Sequence, residues 1–336
     1  MRQPSLEPGG IQTVGNSHTS GLPIQDAIVF RLYSTTPAFD IRSACTTLRG
    51  DGIVRTFKDK CVLVTGAGRG IGKRLAIGFA RAGSRVGLLA RSKAELDLTH
   101  LEIEHAGGAA LRIRADVTDF EQVCAAVDRM RVHFGGVHIL VAAAAIQGPI
   151  GPLAECSPRA WVEAVSTNLI GVMHACRAVL PPMIERRSGK IVVLSGEGSG
   201  GPRPNFSAYA SAKAGVARLV ETLAEEVRDH NIQVNCLAPG GTYTHMTDQI
   251  LNAGDRAGWK AQEEALEVRV SGGISPEKQI QLALFLASER SNHISGKLID
   301  VNDDWKRLEH STIHPELYTL RRIREFGDRL RNSQIS

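Results

Sequence analysis

Short apolar runs recur along the middle of the chain, and each is followed by a stretch with helical spacing. This alternation predicts strands and helices laid down in turn. The runs are Cys61 to Val64, Arg85 to Ala90, Ala110 to Ala115, His138 to Ala142, Gly189 to Ser195, a segment opening at Ile232, and Ser295 to Val301. Cys61 to Val64 is continuously apolar and rich in branched side chains, which suits a strand buried on both faces. Helices are expected from near Gly70, from a Ser92 cap to about His105, and over Phe120 to Phe134, with Leu96, Leu98, Leu101 and Ile103 among the apolar positions of the second. Others span Trp161 to Leu180, the segment around Tyr209 to about Arg228, and Pro276 to Ser288. Pro181-Pro182 is read as the stop of the long Trp161 helix. The pattern predicts an α/β fold, a doubly wound parallel sheet with helices on both faces.

Between the first strand and its helix lies Thr65, Gly66, Ala67, Gly68, Arg69, Gly70, Ile71, Gly72. Without a Cβ the backbone can bend sharply and let a phosphate come close. The helix that follows offers unpaired N–H groups and the positive end of its dipole, so the stretch suits the pyrophosphate of a dinucleotide in a Rossmann-like crevice. A glycine turn alone also closes helix against strand with no ligand; the strand before it and the helix after it give it its weight. The second strand ends at Ala90 and Arg91, where an acidic residue would accept hydrogen bonds from the ribose hydroxyls of NAD. Arg91 and Arg69 instead suit a 2′-phosphate, because the guanidinium fork pairs bidentately with phosphate oxygens. The cofactor reading is NADP(H), with NAD(H) remaining if these arginines are solvated surface charges.

Gly66, Gly70 and Gly72 follow the TGxxxGxG spacing, and over about residues 57–302 the chain resembles the short-chain dehydrogenase/reductase family. The resemblance implies an oxidoreductase interconverting a secondary alcohol and a ketone. It assigns Asp116-Val117 to the adenine ring and Ala143 to the turn after the fourth strand. There the family's N-N-A-G is replaced by Ala142 to Ala145, so the hydrogen bonds of an asparagine amide are lost. Asn168, in TNLIG, matches the V-N-x-x-G asparagine that interrupts a helix and holds a water in a proton relay. Pro239, Gly240, Thr242 and Thr244 match the P-G-x-x-x-T segment that meets the nicotinamide carboxamide and pyrophosphate. Thr247 to Val270 would be a mobile lid over the substrate.

Tyr209 and Lys213 stand four residues apart in SAYASAKAG, on one face of a helix. A free phenol is a poor acid or base at neutral pH, and a neighbouring ammonium favours the phenolate. A tyrosine so tuned can exchange a proton with a substrate oxygen as hydride moves at carbon. The family's serine, thirteen residues before its tyrosine, falls here on Gly196. Ser195 is favoured for that role, with Ser199 or no serine at all as the other possibilities. Losing one such donor costs about 10² to 10³ in rate. Gly196 and the four alanines also motivate a rival reading, a nucleotide-binding regulator or scaffold with little turnover.

Composition narrows the remaining classes. The 336 residues are 43% hydrophobic with a net charge of +5, and the Lys and Arg are dispersed, which points away from nucleic acid and membrane surfaces. No apolar run reaches the roughly 18 residues of a bilayer span. The cysteines at 45, 61, 124, 156, 176 and 236 form no C-x-x-C pair, and the eleven histidines show no ligand spacing. Free thiols in a reducing cytoplasm and no metal site are expected. The partner is a small carbonyl or hydroxyl compound, and the resemblance implies a homodimer or homotetramer through two long central helices. Residues 1–56 read as coil from an over-long start site or a transit peptide. Residues 303–336 read as an extension whose ELYTLRRIREFGDRLR stretch forms a helix with Leu317, Leu320 and Ile323 on one side.

Overall fold

The structure is a computed structural model and describes residues 57–320. The expectations for residues 1–56 and for Ile323 lie outside the described residues. Seven strands form one parallel sheet: β1 (Cys61–Thr65), β2 (Arg85–Ala90), β3 (Ala109–Arg114), β4 (Ile139–Ala142), β5 (Gly189–Leu194), β6 (Ile232–Ala238) and β7 (Leu298–Asp300). Their spatial order is β3-β2-β1-β4-β5-β6-β7, every neighbouring pair parallel. The chain therefore reverses its direction of travel between β1 and β4. The crevice outside their carboxyl ends is where a doubly wound sheet takes a ligand.

The helices are α1 (Gly70–Arg81), α2 (Lys93–His105), α3 (Phe120–Phe134), α4 (Pro158–Val165), α5 (Gly171–Glu185), α6 (Ser207–Glu226), α7 (His245–Asn252), α8 (Trp259–Ser271), α9 (Pro276–Ala287) and the short α10 (Trp305–Leu308). The pleat of β1 divides the core. Val62 and Val64 pack with Leu75 and Phe79 of α1 and Leu282 and Phe285 of α9. Cys61 and Leu63 pack with Met130 of α3, Val179 of α5 and Val216 of α6. Both faces of the sheet are thus covered, which is why its central strands carry no polar alternation. On α2, Leu96 and Ile103 are buried, whereas Leu98 and Leu101 face solvent. Ser92 accepts a hydrogen bond from the Glu95 N–H and caps that helix.

Two sequence expectations are corrected. Pro181-Pro182 does not stop its helix, because α5 runs on to Glu185 with both prolines inside it. Ala175, Cys176, Val179 and Met183 continue one buried stripe past the prolines, while the carbonyls that lose N–H partners belong to exposed Arg177 and half-buried Ala178. Within Trp161 to Leu180 the helix is interrupted by a π turn at Ser166–Ile170, which contains Asn168, where the resemblance implies an interruption. Residues 315–320 form turns where the expected tail helix would begin, and the rest of that helix lies outside the described residues. The Lys297 ammonium donates to the carbonyls of His314, Pro315 and Leu317 at 3.2, 2.7 and 2.9 Å, and the Leu298 N–H donates to the Tyr318 carbonyl at 2.7 Å. Those acceptors are diverted from the i to i+4 bonds a helix would make.

Candidate active site

The glycine turn is shaped by exclusion. Gly66 has φ +68°, and a Cβ there would stand 2.8 Å from the Ala144 Cα, while a Cβ on Gly72 would overlap the Gly66 carbonyl oxygen. Turn, helix and β4 loop therefore close on one another through bare backbone. Thr65, at the end of β1, accepts hydrogen bonds from the N–H groups of Ala143 and Ala144, both at 3.1 Å. Its hydroxyl ties the four-alanine turn to the neighbouring strand without an asparagine. Arg69 heads α1 with no side-chain cap, which leaves the first-turn N–H groups of the helix without a side-chain acceptor. The Cβ direction of Gly70 is open, with the Thr244 methyl 3.7 Å away as its nearest neighbour. A cradle between the glycine turn and the segment after β6 fits a dinucleotide phosphate.

Each of the two arginines proposed for a 2′-phosphate is engaged. Arg69 lies 3.2 Å from Glu95, and Arg91 lies 3.6 Å from Asp116. Both are more than half exposed, so these pairs are weak and a phosphate can compete for the guanidinium groups. Asp116 also accepts from the N–H and hydroxyl of Thr118 at 2.9 Å each. Val117 is buried against Gly171, and its carbonyl meets His174 Nδ1 at 2.9 Å. Asn168 sits in the π turn, fully buried, with its Oδ1 accepting from the Ile146 N–H and its Nδ2 donating to the Ile146 carbonyl, both at 2.8 Å. Its side chain fastens the β4 loop through one bond at each end of the amide.

Tyr209 and Lys213 occupy the first two turns of α6, both buried. The Lys213 ammonium donates to the Leu194 carbonyl at 2.7 Å and lies 5.6 Å from the centre of the Tyr209 ring. Burial pulls the Lys213 pKa down to about 8. Burial also dominates at Tyr209, pushing its phenol up to about 12, with Arg203 drawing it down and Glu197 raising it. The expected lowering is therefore not what the protein alone displays, because burial of the phenol outweighs it. Gly196 stands against the phenol, and a Cβ on it would come within 2.5 Å of the Tyr209 hydroxyl oxygen. The Ser195 hydroxyl is enclosed with no hydrogen-bond partner, and Ser199 is buried with its N–H donating to the Gly196 carbonyl at 3.2 Å.

Side chains that the motifs did not reveal hold the segment after β6. Arg74, one turn into α1, donates to the Thr242 hydroxyl at 2.7 Å and the Tyr243 carbonyl at 3.0 Å, and Thr242 donates onward to the Ile274 carbonyl at 3.1 Å. Gln279 of α9 donates to the Pro239 carbonyl at 2.9 Å, leaving its own oxygen without a partner. Gly240 has φ +66°, and Thr244 caps α7 through a reciprocal pair with Thr247. The segment Thr247 to Val270, expected as a lid, holds most of α7 and α8, and its Ile250, Ala257 and Ala265 form one apolar cluster with Phe206 and Tyr209. Arg74 stands beside Lys73 in a helix that also ends in Arg81, so no local signal sets it apart in the sequence. Among the described residues there is no cluster of three or more His, Cys, Asp or Glu able to hold a metal ion, and no helix long and apolar enough to cross a membrane.

Residues 60–254 match the family model described as short chain dehydrogenase. The 3-oxoacyl-[acyl-carrier-protein] reductase of Thermotoga maritima is 34% identical over 244 residues, which cover 72% of this chain and 96% of that one. The crystal structure of a gluconate 5-dehydrogenase from Burkholderia cenocepacia, in complex with NADP and tartrate, superposes with a TM-score of 0.66 at 30% identity, covering 74% of this chain and 95% of that one. A 3-oxoacyl-[acyl-carrier protein] reductase from Brucella melitensis with bound NAD gives 0.62 at 28% identity, covering 74% and 92%. On the matched model, the shared sheet order and these relatives, the chain belongs to the short-chain dehydrogenase/reductase family of oxidoreductases.

Proposed function

We propose that this protein is an NADP(H)-dependent oxidoreductase that interconverts a secondary alcohol and a ketone. The observation that carries the reading is the placement of Tyr209 and Lys213 as buried neighbours on α6, with Lys213 at the carboxyl end of β5 and Tyr209 against the lid. When bound, the nicotinamide supplies or accepts hydride at the substrate carbon. Tyr209 exchanges the proton at the substrate oxygen, and Lys213 holds the ribose and favours the phenolate. Gly66, Gly68, Gly70, Ile71 and Gly72 receive the pyrophosphate on backbone N–H groups. Thr242 and Thr244 receive the carboxamide end, with Arg74 steadying their loop. Asp116 and Val117 lie along the adenine, and Ser195 steadies the substrate oxygen if its strand end turns outward.

The test is a panel of ketones and alcohols with both nucleotides, followed by the near-ultraviolet absorbance of reduced nicotinamide. Turnover with NADPH favoured supports the reading, and no absorbance change with any substrate overturns it. The NADP preference rests on Arg69 and Arg91. Arg91→Ala is expected to weaken NADPH binding about tenfold or more, the worth of one charge-assisted hydrogen bond, while leaving NADH binding unchanged. Equal losses for both nucleotides would make NAD the better assignment.

A second reading is favoured by the bare backbone of Gly196 against the phenol and the unpaired Ser195 hydroxyl. It is a nucleotide-binding regulator with little turnover, shown by NADPH binding without chemistry and indifference to Tyr209→Phe. Exposed Val162 on α4, Ile170 in the π turn and Met173 on α5 support a homodimer or homotetramer, which light scattering on the full chain checks.

A further inference from the structure

The loop from Ser195 to Phe206 brings a second cation to the tyrosine. Arg203 lies with its guanidinium carbon 4.1 Å from the centre of the Phe206 ring and 5.7 Å from that of Tyr209. Its Nη2 pairs with the Glu197 carboxylate at 2.7 Å, and its side chain is only 15% exposed against 53% for Glu197. The position thirteen residues before the tyrosine is Gly196, which offers no hydroxyl. The Lys213 ammonium is engaged by the Leu194 carbonyl. We infer that Arg203 is a positioning residue for Tyr209, its guanidinium held over the ring by Phe206 and restrained by Glu197 so that it favours negative charge on the phenol oxygen.

The physics follows from the surroundings. A guanidinium within about 6 Å of an aromatic face is attracted to it, and the attraction grows when the ring carries negative charge. In a site covered by a lid the effective dielectric is low, so the field of a mostly covered cation is little screened. Glu197 opposes it, but from a half-exposed position where water and salt weaken its effect. The charged groups facing Tyr209 are Lys213 from its own helix and Arg203 and Glu197 from the loop, whereas the lid presents Ile250, Ala257 and Ala265. Arg203 draws the phenol pKa down and Glu197 raises it, both secondary to burial. The pair forms a setting on the acidity of Tyr209: the closer Glu197 holds to Arg203, the less of the cation's field reaches the ring.

This inference rests on Tyr209 as the acid–base group, so its test needs a readout independent of turnover. Tyrosinate absorbance after a rapid pH jump, taken on the full chain as wild type minus Tyr209→Phe, isolates the titration of this one phenol. Arg203→Gln is expected to move that titration to higher pH, Glu197→Gln to lower pH, and Arg203→Lys to leave it near wild type. Where alcohol oxidation is measured, the alkaline-rising limb of kcat/KM shifts in the same directions. A shift of one unit means about tenfold lower kcat/KM for Arg203→Gln below the limb. If both charge-removing variants leave the phenol titrating as in wild type, even with activity lost, Arg203 is merely structural and the inference is overturned. If the titration shifts as described but no alcohol is oxidised, the coupling stands and the dehydrogenase reading fails.

Discussion

Two regions leave the sheet on either side of the crevice, and they are held in different ways. After β1, the turn from Gly66 to Gly72 is closed by backbone against backbone, with no room for a side chain at either end. After β5 and β6, the segments are held by side chains reaching across: Arg74 to Thr242 and Tyr243, Gln279 to Pro239, and Arg203 to Glu197. Of the buried side-chain polar atoms without partners among the described residues, Ser195 Oγ and Gln279 Oε1 belong to this second region. Unsatisfied buried groups mark places where the chain does not complete its own hydrogen bonding. The first region can receive one kind of ligand and tolerates little change, while the second can be retuned by single substitutions.

The largest effect expected is on chemistry in the side-chain-held region. Tyr209→Phe should lower kcat about 10² to 10⁴-fold, the usual worth of a general acid or base, with NADPH affinity by fluorescence titration nearly unchanged. Retained turnover would remove the phenol from the reaction. In the backbone-held region the effect should appear as stability. Gly72→Ala is expected to cost about 3 kcal/mol in urea unfolding, at the upper end of overpacking penalties. Gly70→Ala, whose Cβ meets open space, should cost only the left-handed strain of about 1 to 2 kcal/mol. Equal losses at the two sites would mean that exclusion does not distinguish them. Arg74→Met should raise the KM for nucleotide about tenfold, since two charge-assisted hydrogen bonds are removed from the loop. Its melting temperature should fall less than that of Gly72→Ala.

The smallest effect lies at the opposite end of the sheet, where Lys60, His138 and Lys190 line a cavity of about 130 Å³. Burial pulls the Lys190 pKa down to about 7 from 10.5, with its ammonium donating to Asn292 at 2.7 Å. Between those values the folded protein binds fewer protons than the unfolded chain, so Lys190 makes stability rise with pH from about 7 toward 10. Lys190→Met should flatten that rise in a series of thermal melts, although Lys213, pulled down to about 8, retains part of it. An unchanged slope would show that Lys190 is solvated.

The central strands were legible from the sequence because a strand buried on both faces is apolar nearly throughout, and the predicted runs begin within three residues of the observed strands. Glycine spacing was legible for a similar reason, since backbone contact leaves no alternative residue. Side-chain ties between distant segments have no such signature. Arg74 reaches across 168 positions to Thr242, and nothing local to either residue announces the pairing. The prolines of α5 misled because local propensity was overruled by a buried stripe ending in Met183. The departure at Gly196 was visible as a count, but that its Cα abuts the Tyr209 hydroxyl, and that Arg203 folds back over the ring, depends on how the loop turns.

The polypeptide after β7 has one more consequence. By laying Tyr318 beside Leu298 and fastening three carbonyls to Lys297, it takes up hydrogen-bonding capacity on the outer margin of the seventh strand. The opposite margin, β3, carries Arg112 and Arg114, whose charges deter another strand from docking there. Concentrated protein should for that reason resist the edge-to-edge growth that leads to fibrils, one border being occupied and the other repellent.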